Sequence, residues 1–335
     1  MVCWTQLRVP NGHAKSRSMG EFELIDLLIE TLGDHTRGGG VLLGPGDDAA
    51  LVQSPRDRLA VSSIDTLVAG VHFPAAAPAD LVGFRAMGVS LSDLAAMGAE
   101  PGYVLIAVTL PHGSGNWLER FAHGIAAAAA RFGVKVVGGN LARGPLNVTV
   151  SVHGYAAPGE ALKRSGAQPD DLVCVSGELG GASAALLRTD LEHPPDLQTL
   201  LACDSADPLY TLRRYYLPEP RIALGRALRG IATAAIDISD GLVADLGHVC
   251  AASEVAGEIE LASVPLVAGC RAELAATGGD DYELCFTVAP RHRAALDNLP
   301  EAVSVIGRIT AGRGVTVRAG GRTVQLADGG FRHFS

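Results

Sequence analysis

Aromatic side chains are scarce in this sequence: Phe, Tyr and Trp together make up 5% of 335 residues. So low a share argues against the stacking platforms that hold single-stranded nucleic acid. Basic residues are outnumbered, 27 Lys and Arg against 36 Asp and Glu. The resulting net charge of −9 disfavours generic nucleic-acid binding, which depends on neutralising backbone phosphates. Paired cysteines are missing too. Cys3, Cys174, Cys203, Cys250, Cys270 and Cys285 have no CxxC spacing; a zinc site lacks its ligand pattern, and the thiols read as reduced and buried. No apolar run is long enough to span a bilayer. Residues 1–19 are polar and basic and lack the apolar stretch of a secretory signal. They read as a disordered extension, or as the product of a start codon assigned ahead of Met19, and the expected location is cytoplasmic. The signatures GxxxxGK[ST], GxSxG and HExxH are also absent, which removes the P-loop, the serine-hydrolase elbow and the zinc-protease helix.

What is present is an alternation of strand and helix patterns. Two domains are the default at this length, and Pro158-Gly159 offers a modest break, giving 20–157 and 158–335. A helix is expected from Glu21 to about Leu32, with Phe22, Leu24, Ile25, Leu28 and Ile29 on one stripe. Asp80 is the expected N-cap of a second helix running through Leu94. Strands are expected at Tyr103–Leu110 and Asn147–Ala156, with an alanine-rich helix over about Trp117–Phe132 between them. Interleaved in this order, the elements predict an α/β or α+β fold.

The chemistry rests on aspartates at strand ends. Asp47 and Asp48 lie in GPGDDAA, Asp65 in SSIDT, Asp93 in SLSDLAAMG, Asp237 and Asp240 in DISDG, and Asp280 and Asp281 in GGDDYEL. None has a Lys or Arg within its own motif. Carboxylates gathered without cations repel and raise one another's pKa, whereas Mg²⁺ accepts one or two carboxylates together with waters and substrate phosphates. Each has a plainer reading as a cap or turn residue. That reading is weak for Asp93, inside an apolar helical pattern where Asp is a poor choice. It stands level with the functional one for Asp240, ahead of a helix. Asp47 and Asp48 are adjacent and point apart, so one of the two is the candidate ligand. His72, in DTLVAGVHF, follows a strand end.

Together these segments resemble the thiamine-monophosphate kinase family. GEFELIDLL, GPGDDAALV, IDTLVAGVHF, SLSDLAAMGAEP, VVGGNLARGP, KRSGAQPDD, AIDISDGLVADLGH, GGDDYELCF and the terminal GFRHF occur in the family's order. The resemblance implies an aminoimidazole ribonucleotide synthetase-like fold, in which residues 20–157 form a dimerising domain that binds ATP and Mg²⁺ and residues 158–335 complete the active site. It implies ATP as co-substrate, several Mg²⁺ ions, thiamine monophosphate as acceptor and a homodimer, with no nucleic-acid or membrane partner. Carried over residue by residue, Asp48, Ser63, Asp65, Asp93, Asp237 and Asp240 fall at magnesium positions. Gly139, Asn140, Arg164 and Ser239 fall around ATP, and His72, Asp280 and Phe331 face the thiamine phosphate.

Three positions depart from the family's pattern: Ile64 for Thr, Asn140 for Asp and Asp280 for Glu. An acceptor phosphate with its second pKa near ~6 is largely anionic at neutral pH, so no acid–base residue is expected. Arg164 is either a stabiliser of the transferring group or a surface arginine. Phe331 either stacks on the thiamine rings or anchors the C-terminus by packing, and Asp280 either pairs with the ligand or shapes a turn.

Related chemistries fit less well. Selenophosphate synthesis wants a reactive Cys near a Lys, a setting Cys3 lacks, and the hydrogenase-maturation relative ends in a functional Cys where this chain ends FRHFS. A purine-pathway amidine synthetase fits DTLVAGVHF and GFRHF poorly. A non-catalytic binding protein would have lost several of the carboxylates that are retained here.

Overall fold

The computed structural model describes residues 19–326 and residue 330. The proposed N-terminal extension, except Met19, and Phe331 lie outside the described residues.

The first half of the chain builds a four-stranded sheet with helices on one face. Its elements are α1 (Glu21–Leu32), the short hairpin strands β1 (Val41–Leu43) and β2 (Leu51–Val52), then β3 (Leu59–Val68), α2 (Ala79–Ala96), β4 (Glu100–Leu110), α3 (Gly115–Phe132), β5 (Lys135–Arg143) and β6 (Asn147–Ala156). The strand order is β3-β6-β4-β5. β4 and β5 are parallel and therefore need the α3 crossover, while β6 is antiparallel to both β3 and β4. Strict alternation along β6 places Val148, Val150 and Val152 in the core and leaves Thr149, Ser151, His153 and Tyr155 half-buried on the opposite face. Among the described residues that opposite face carries no helix. It shows Ile64 and Leu105 exposed among a polar set in which Tyr103 stacks on His153 at 4.7 Å and the Thr66 and Thr149 hydroxyls meet at 2.8 Å.

The second half forms a seven-stranded sheet of order β13-β12-β9-β11-β7-β10-β8. Its elements in chain order are β7 (Leu172–Ser176), α4 (Gly181–Ala185), α5 (Leu197–Ala202), α6 (Tyr210–Tyr216), α7 (Ile222–Ala227), β8 (Ala232–Asp237), α8 (Leu242–Ser253), β9 (Ala256–Glu260), α9 (Ala272–Thr277), β10 (Leu284–Val288), β11 (Val303–Thr310), β12 (Gly314–Ala319) and β13 (Arg322–Val324). The fold class is α/β, as the order of the sequence patterns predicts.

Helix α2 joins the two halves. It is apolar almost all round, and Leu81, Phe84, Met87, Leu91 and Leu94 are fully buried, as a helix enclosed on every side requires. Its middle packs in the first core with Leu212, Tyr215 and Tyr216 of α6, while Ala95 and Ala96 near its end join a core with Leu224 of α7 and Phe286 of β10. Its N-cap is Pro78, not the expected Asp80. Asp80 sits inside the first turn, where its charge suits the helix dipole, and pairs with Arg120 of α3 at 2.8 Å. The polar residues on this enclosed helix (Arg85, Ser90, Ser92 and Asp93) require partners for the same reason that its apolar residues are buried.

Candidate active site

A cleft of about 250 Å³ opens between β3, the end of α2 and the end of β8, lined in part by Ser63, Asp93, Arg164 and Asp237. Strand alternation explains half of it: Ser63 and Asp65 point to the helix side of β3, while Ser62, Ile64 and Thr66 point to the open face. The Ser63 hydroxyl donates to Asp93 Oδ2 in a short hydrogen bond. Asp237 is the last residue of edge strand β8 and is 4% exposed.

These acids meet in a largely buried space with no basic side chain paired to them. Burial, reinforced by the charge of Asp93, pushes the Asp65 carboxyl up to about 6 against the opposing effect of the Ser90 hydroxyl. Burial and then Asp93 likewise push Asp237 up to about 7. Ser92 Oγ lies near enough to favour the charged form of Asp237, yet the Ser90 and Ser92 hydroxyls have no partner in hydrogen-bond geometry. Among the described residues, no Lys or Arg forms an ion pair with Asp65, Asp93 or Asp237. Several hard oxygen donors converging without a counter-charge are the donor set that fits Mg²⁺.

The acidic line continues into the turn after β8. Asp245 Oδ2 accepts the backbone N–H groups of Ser239, Asp240 and Gly241, each at 3.0 Å. Asp245 therefore ties down the turn that enters α8 at its N-cap, Gly241, and the Asp240 carboxylate makes no side-chain cap. Asp240, Asp245 and His248 bring one ligand atom each within 4.8 Å of one another. Burial, then the charge of Asp240, pushes Asp245 up to about 7 despite its three N–H donors. The neighbouring GGDD turn packs directly on this one: a Cβ on Gly279 would collide with the Ser239 carbonyl, and Asp280 N–H donates to that carbonyl at 2.9 Å.

The residues singled out from the sequence separate into groups. Ser63, Asp65, Asp93 and Asp237 come together, Asp240 and Ser239 adjoin them, and Arg164 is an exposed side chain at the cleft. His72 and Asp280 lie on different halves of the chain but share one partner, Arg85. Asp48 is exposed in the loop ahead of β2. Among the described residues its hydrogen bond is from its N–H to Asp47 Oδ1, so Asp47 shapes the turn and nothing ties Asp48 to the cluster. Gly139 and Asn140 lie on β5, the sheet edge opposite β3, roughly 14 Å away at ordinary strand spacing. A Cβ at Gly139 would meet the Ile106 carbonyl of β4, which is a packing reason for glycine at that position.

Sequence reasoning passed over Arg85, Ser90, Ser92, Tyr215 and Asp245. A signal existed for two of them: Arg85 interrupts an apolar helical run, and Asp245 sits in the first turn of α8, where acids cap.

The comparisons with known proteins come down on the same side. Residues 46–156 match the family model described as AIR synthase related protein, N-terminal domain, and residues 168–320 match its C-terminal domain. Thiamine-monophosphate kinase of Escherichia coli O157:H7 is 40% identical over 332 residues, covering 94% of this chain and 98% of that one. The chain belongs to the thiamine-monophosphate kinase family. The structure of thiamine-monophosphate kinase from Stenotrophomonas maltophilia K279a is similar with a TM-score of 0.77 at 40% identity, covering 92% of this chain and 99% of that one. AaThiL complexed with AMPPCP and TMP gives 0.70 at 31% identity, covering 96% and 100%. For this member of the thiamine-monophosphate kinase family, the two-domain fold expected from the ordered motifs is the one observed.

Proposed function

We propose that the chain transfers the γ-phosphoryl group of ATP directly, in line, to thiamine monophosphate, giving thiamine diphosphate. The observation that carries this reading is the group of uncompensated carboxylates from both halves of the chain (Asp65, Asp93 and Asp237) in a protein so similar to thiamine-monophosphate kinases. The use of ATP goes with the cytoplasmic location expected from the sequence.

Two polyanions must approach one another in an acidic protein, so charge neutralisation is the main requirement. Ser63, Asp65, Asp93, Asp237 and Asp240 are the proposed holders of Mg²⁺, with Asp48 joining them through movement of its loop. Bound there, Mg²⁺ would supply the positive charge that offsets the phosphates and the acids alike. Holding the reactants in a fixed geometry accounts for much of a phosphoryl-transfer rate. No proton need leave the acceptor, so no side chain is assigned as general base. Arg164, exposed at the cleft, is free to reach the transferring group as a planar donor. Ser239, in the turn after β8, is proposed to contact ATP, while His72, Asp280 and Phe331 face the acceptor.

Gly139 and Asn140 join this scheme through a second copy. The helix-free face of the first sheet, with Ile64 63% exposed, is the proposed dimer contact. A partner seated there with its β5 beside β3 would bring its Gly139 and Asn140 toward the cleft. Residues 20–157 then act as the dimerising, ATP-binding domain, and residues 158–335 complete the site.

The deciding assay incubates the purified chain with ATP, Mg²⁺ and thiamine monophosphate and measures thiamine diphosphate. Product formation is expected. No product, with activity instead on selenide or a purine ribonucleotide, would sink the assignment.

A further inference from the structure

One side chain connects the two loops assigned to the acceptor. Arg85 of α2 is 1% exposed, and each guanidinium nitrogen has a separate partner. Nε donates to the His72 carbonyl at 3.2 Å, Nη1 to the Tyr215 carbonyl at 2.5 Å, and Nη2 meets Asp280 Oδ2 at 2.9 Å. The Tyr215 ring lies under the guanidinium, 4.2 Å from centroid to carbon, and its hydroxyl donates to the same His72 carbonyl at 3.0 Å. The His72 ring is fixed as well: Nδ1 accepts the Val68 N–H at 2.9 Å, so the neutral ring carries its proton on Nε2.

On the other side, Asp280 Oδ1 accepts the Tyr282 hydroxyl at 2.7 Å. Asp280 and Tyr282 both hold left-handed backbone, at φ 70° and 52°. Residues other than glycine in that region cost on the order of 1 kcal/mol or more unless their surroundings hold them. The Arg85 ion pair and the Tyr282 hydroxyl are such surroundings. Fully buried arginines are rare, and a planar fork satisfying three partners at fixed angles is a task lysine cannot perform.

We propose that Arg85, backed by Tyr215, is a positioning residue for acceptor recognition: it locks the His72 loop of one half to the Asp280 turn of the other. This inference rests on the reading of the cleft as a site for thiamine monophosphate. Arg85 touches the groups assigned to the acceptor and makes no contact with Ser63, Asp93 or Arg164. Its loss therefore weakens acceptor binding more than it weakens ATP binding.

The test is two-substrate steady-state kinetics on the full chain, with thermal melts, for Tyr215→Phe and Arg85→Lys. Tyr215→Phe keeps the ring under the guanidinium and removes only the hydroxyl bond to His72. It is expected to raise KM for thiamine monophosphate about fivefold, the weight of one buried hydrogen bond, with KM for ATP within about twofold. Arg85→Lys, which loses more of the fork, is expected to raise the acceptor KM by more than about tenfold. If Arg85→Lys does not fold, Tyr215→Phe decides. Equal rises in both KM values, or an unchanged acceptor KM in Tyr215→Phe, would overturn the proposal. A wild-type chain that makes no thiamine diphosphate overturns the functional reading and this inference with it; an active wild type with unsplit KM values overturns the inference alone.

Discussion

Replacing Asp237 by Asn should make the metal-free protein more stable and the Mg²⁺-supplied protein nearly inactive, the trade-off expected where a strained group serves function. Asp237 is 4% exposed, and its carboxyl is raised from 3.8 to about 7, first by burial and then by Asp93. At 1.36 kcal/mol per pKa unit, that places a penalty of roughly 4 kcal/mol on its charged form in the folded state. The sign follows from linkage. Unfolded chains release this proton near pH 4, folded ones near 7, so the penalty grows as pH rises from 4 to 7 and is constant above. Asn has the same shape and no charge, but its amide must also be buried, so only part of the penalty is relieved. The expected gain is about 1–3 kcal/mol, or roughly 1.5–4 °C in Tm, read by calorimetry at pH 8 in EDTA. The gap between variant and parent should close as pH falls toward 4. Turnover with Mg²⁺ should fall by at least about a hundredfold, as for removal of a charge-stabilising group. An Asp237→Asn variant melting at or below the parent in EDTA at pH 8, or one that keeps its activity, would refute this reasoning.

Mg²⁺ affinity should rise from pH 5.5 to 8, because Asp65 and Asp237 lose their protons near 6 and 7; titration calorimetry in buffers of different ionisation heat should detect proton release on binding, and a pH-independent affinity would contradict it. Asp93→Asn should lower turnover by about a hundredfold or more without lowering the melting temperature, since Ser63 can still donate to the amide oxygen and the repulsion on Asp65 and Asp237 is relieved; near-normal turnover at limiting Mg²⁺ would show that Asp93 is not a ligand. Ile64→Asp places a charge on the helix-free face of the sheet and should turn a dimer into a monomer by light scattering. A parent protein that is already monomeric would remove the dimer from the scheme.

Elements set by periodicity were legible in the sequence. The Glu21–Leu32 helix and the Asn147–Ala156 strand stand where their patterns put them, because amphipathic spacing is a local property. The start of α2 was less legible. Asp80 has the chemistry of a cap, but the chain enters the helix at Pro78, and Asp80 is drawn instead to Arg120 on α3. Asp240 posed the same problem in reverse: it precedes the helix as a cap should, yet the backbone donors there go to Asp245 from within the first turn. Which carboxylate receives a given N–H is decided by the turn's three-dimensional path, and the residue types alone leave both open.

Unpaired charge marks the point where local sequence stops being informative. Every candidate aspartate lacks a basic residue in its own motif, so on that criterion Asp65, Asp93, Asp237, Asp280 and Asp281 look alike. Folding separates them. Asp280 receives Arg85 from a helix far earlier in the chain, and Asp281 lies 3.9 Å from Arg214 while accepting the Gly180 N–H. Asp65, Asp93 and Asp237 receive no cation from any described element; what reaches them is a serine hydroxyl and one another's charge. A carboxylate still uncompensated after the whole chain has folded has only two options, to keep its proton or to await a metal. Two of these three are pushed to between about 6 and 7, within reach of displacement by a divalent ion at neutral pH. The tertiary arrangement thus divides one acidic class into groups that hold the structure and groups left available for a cation.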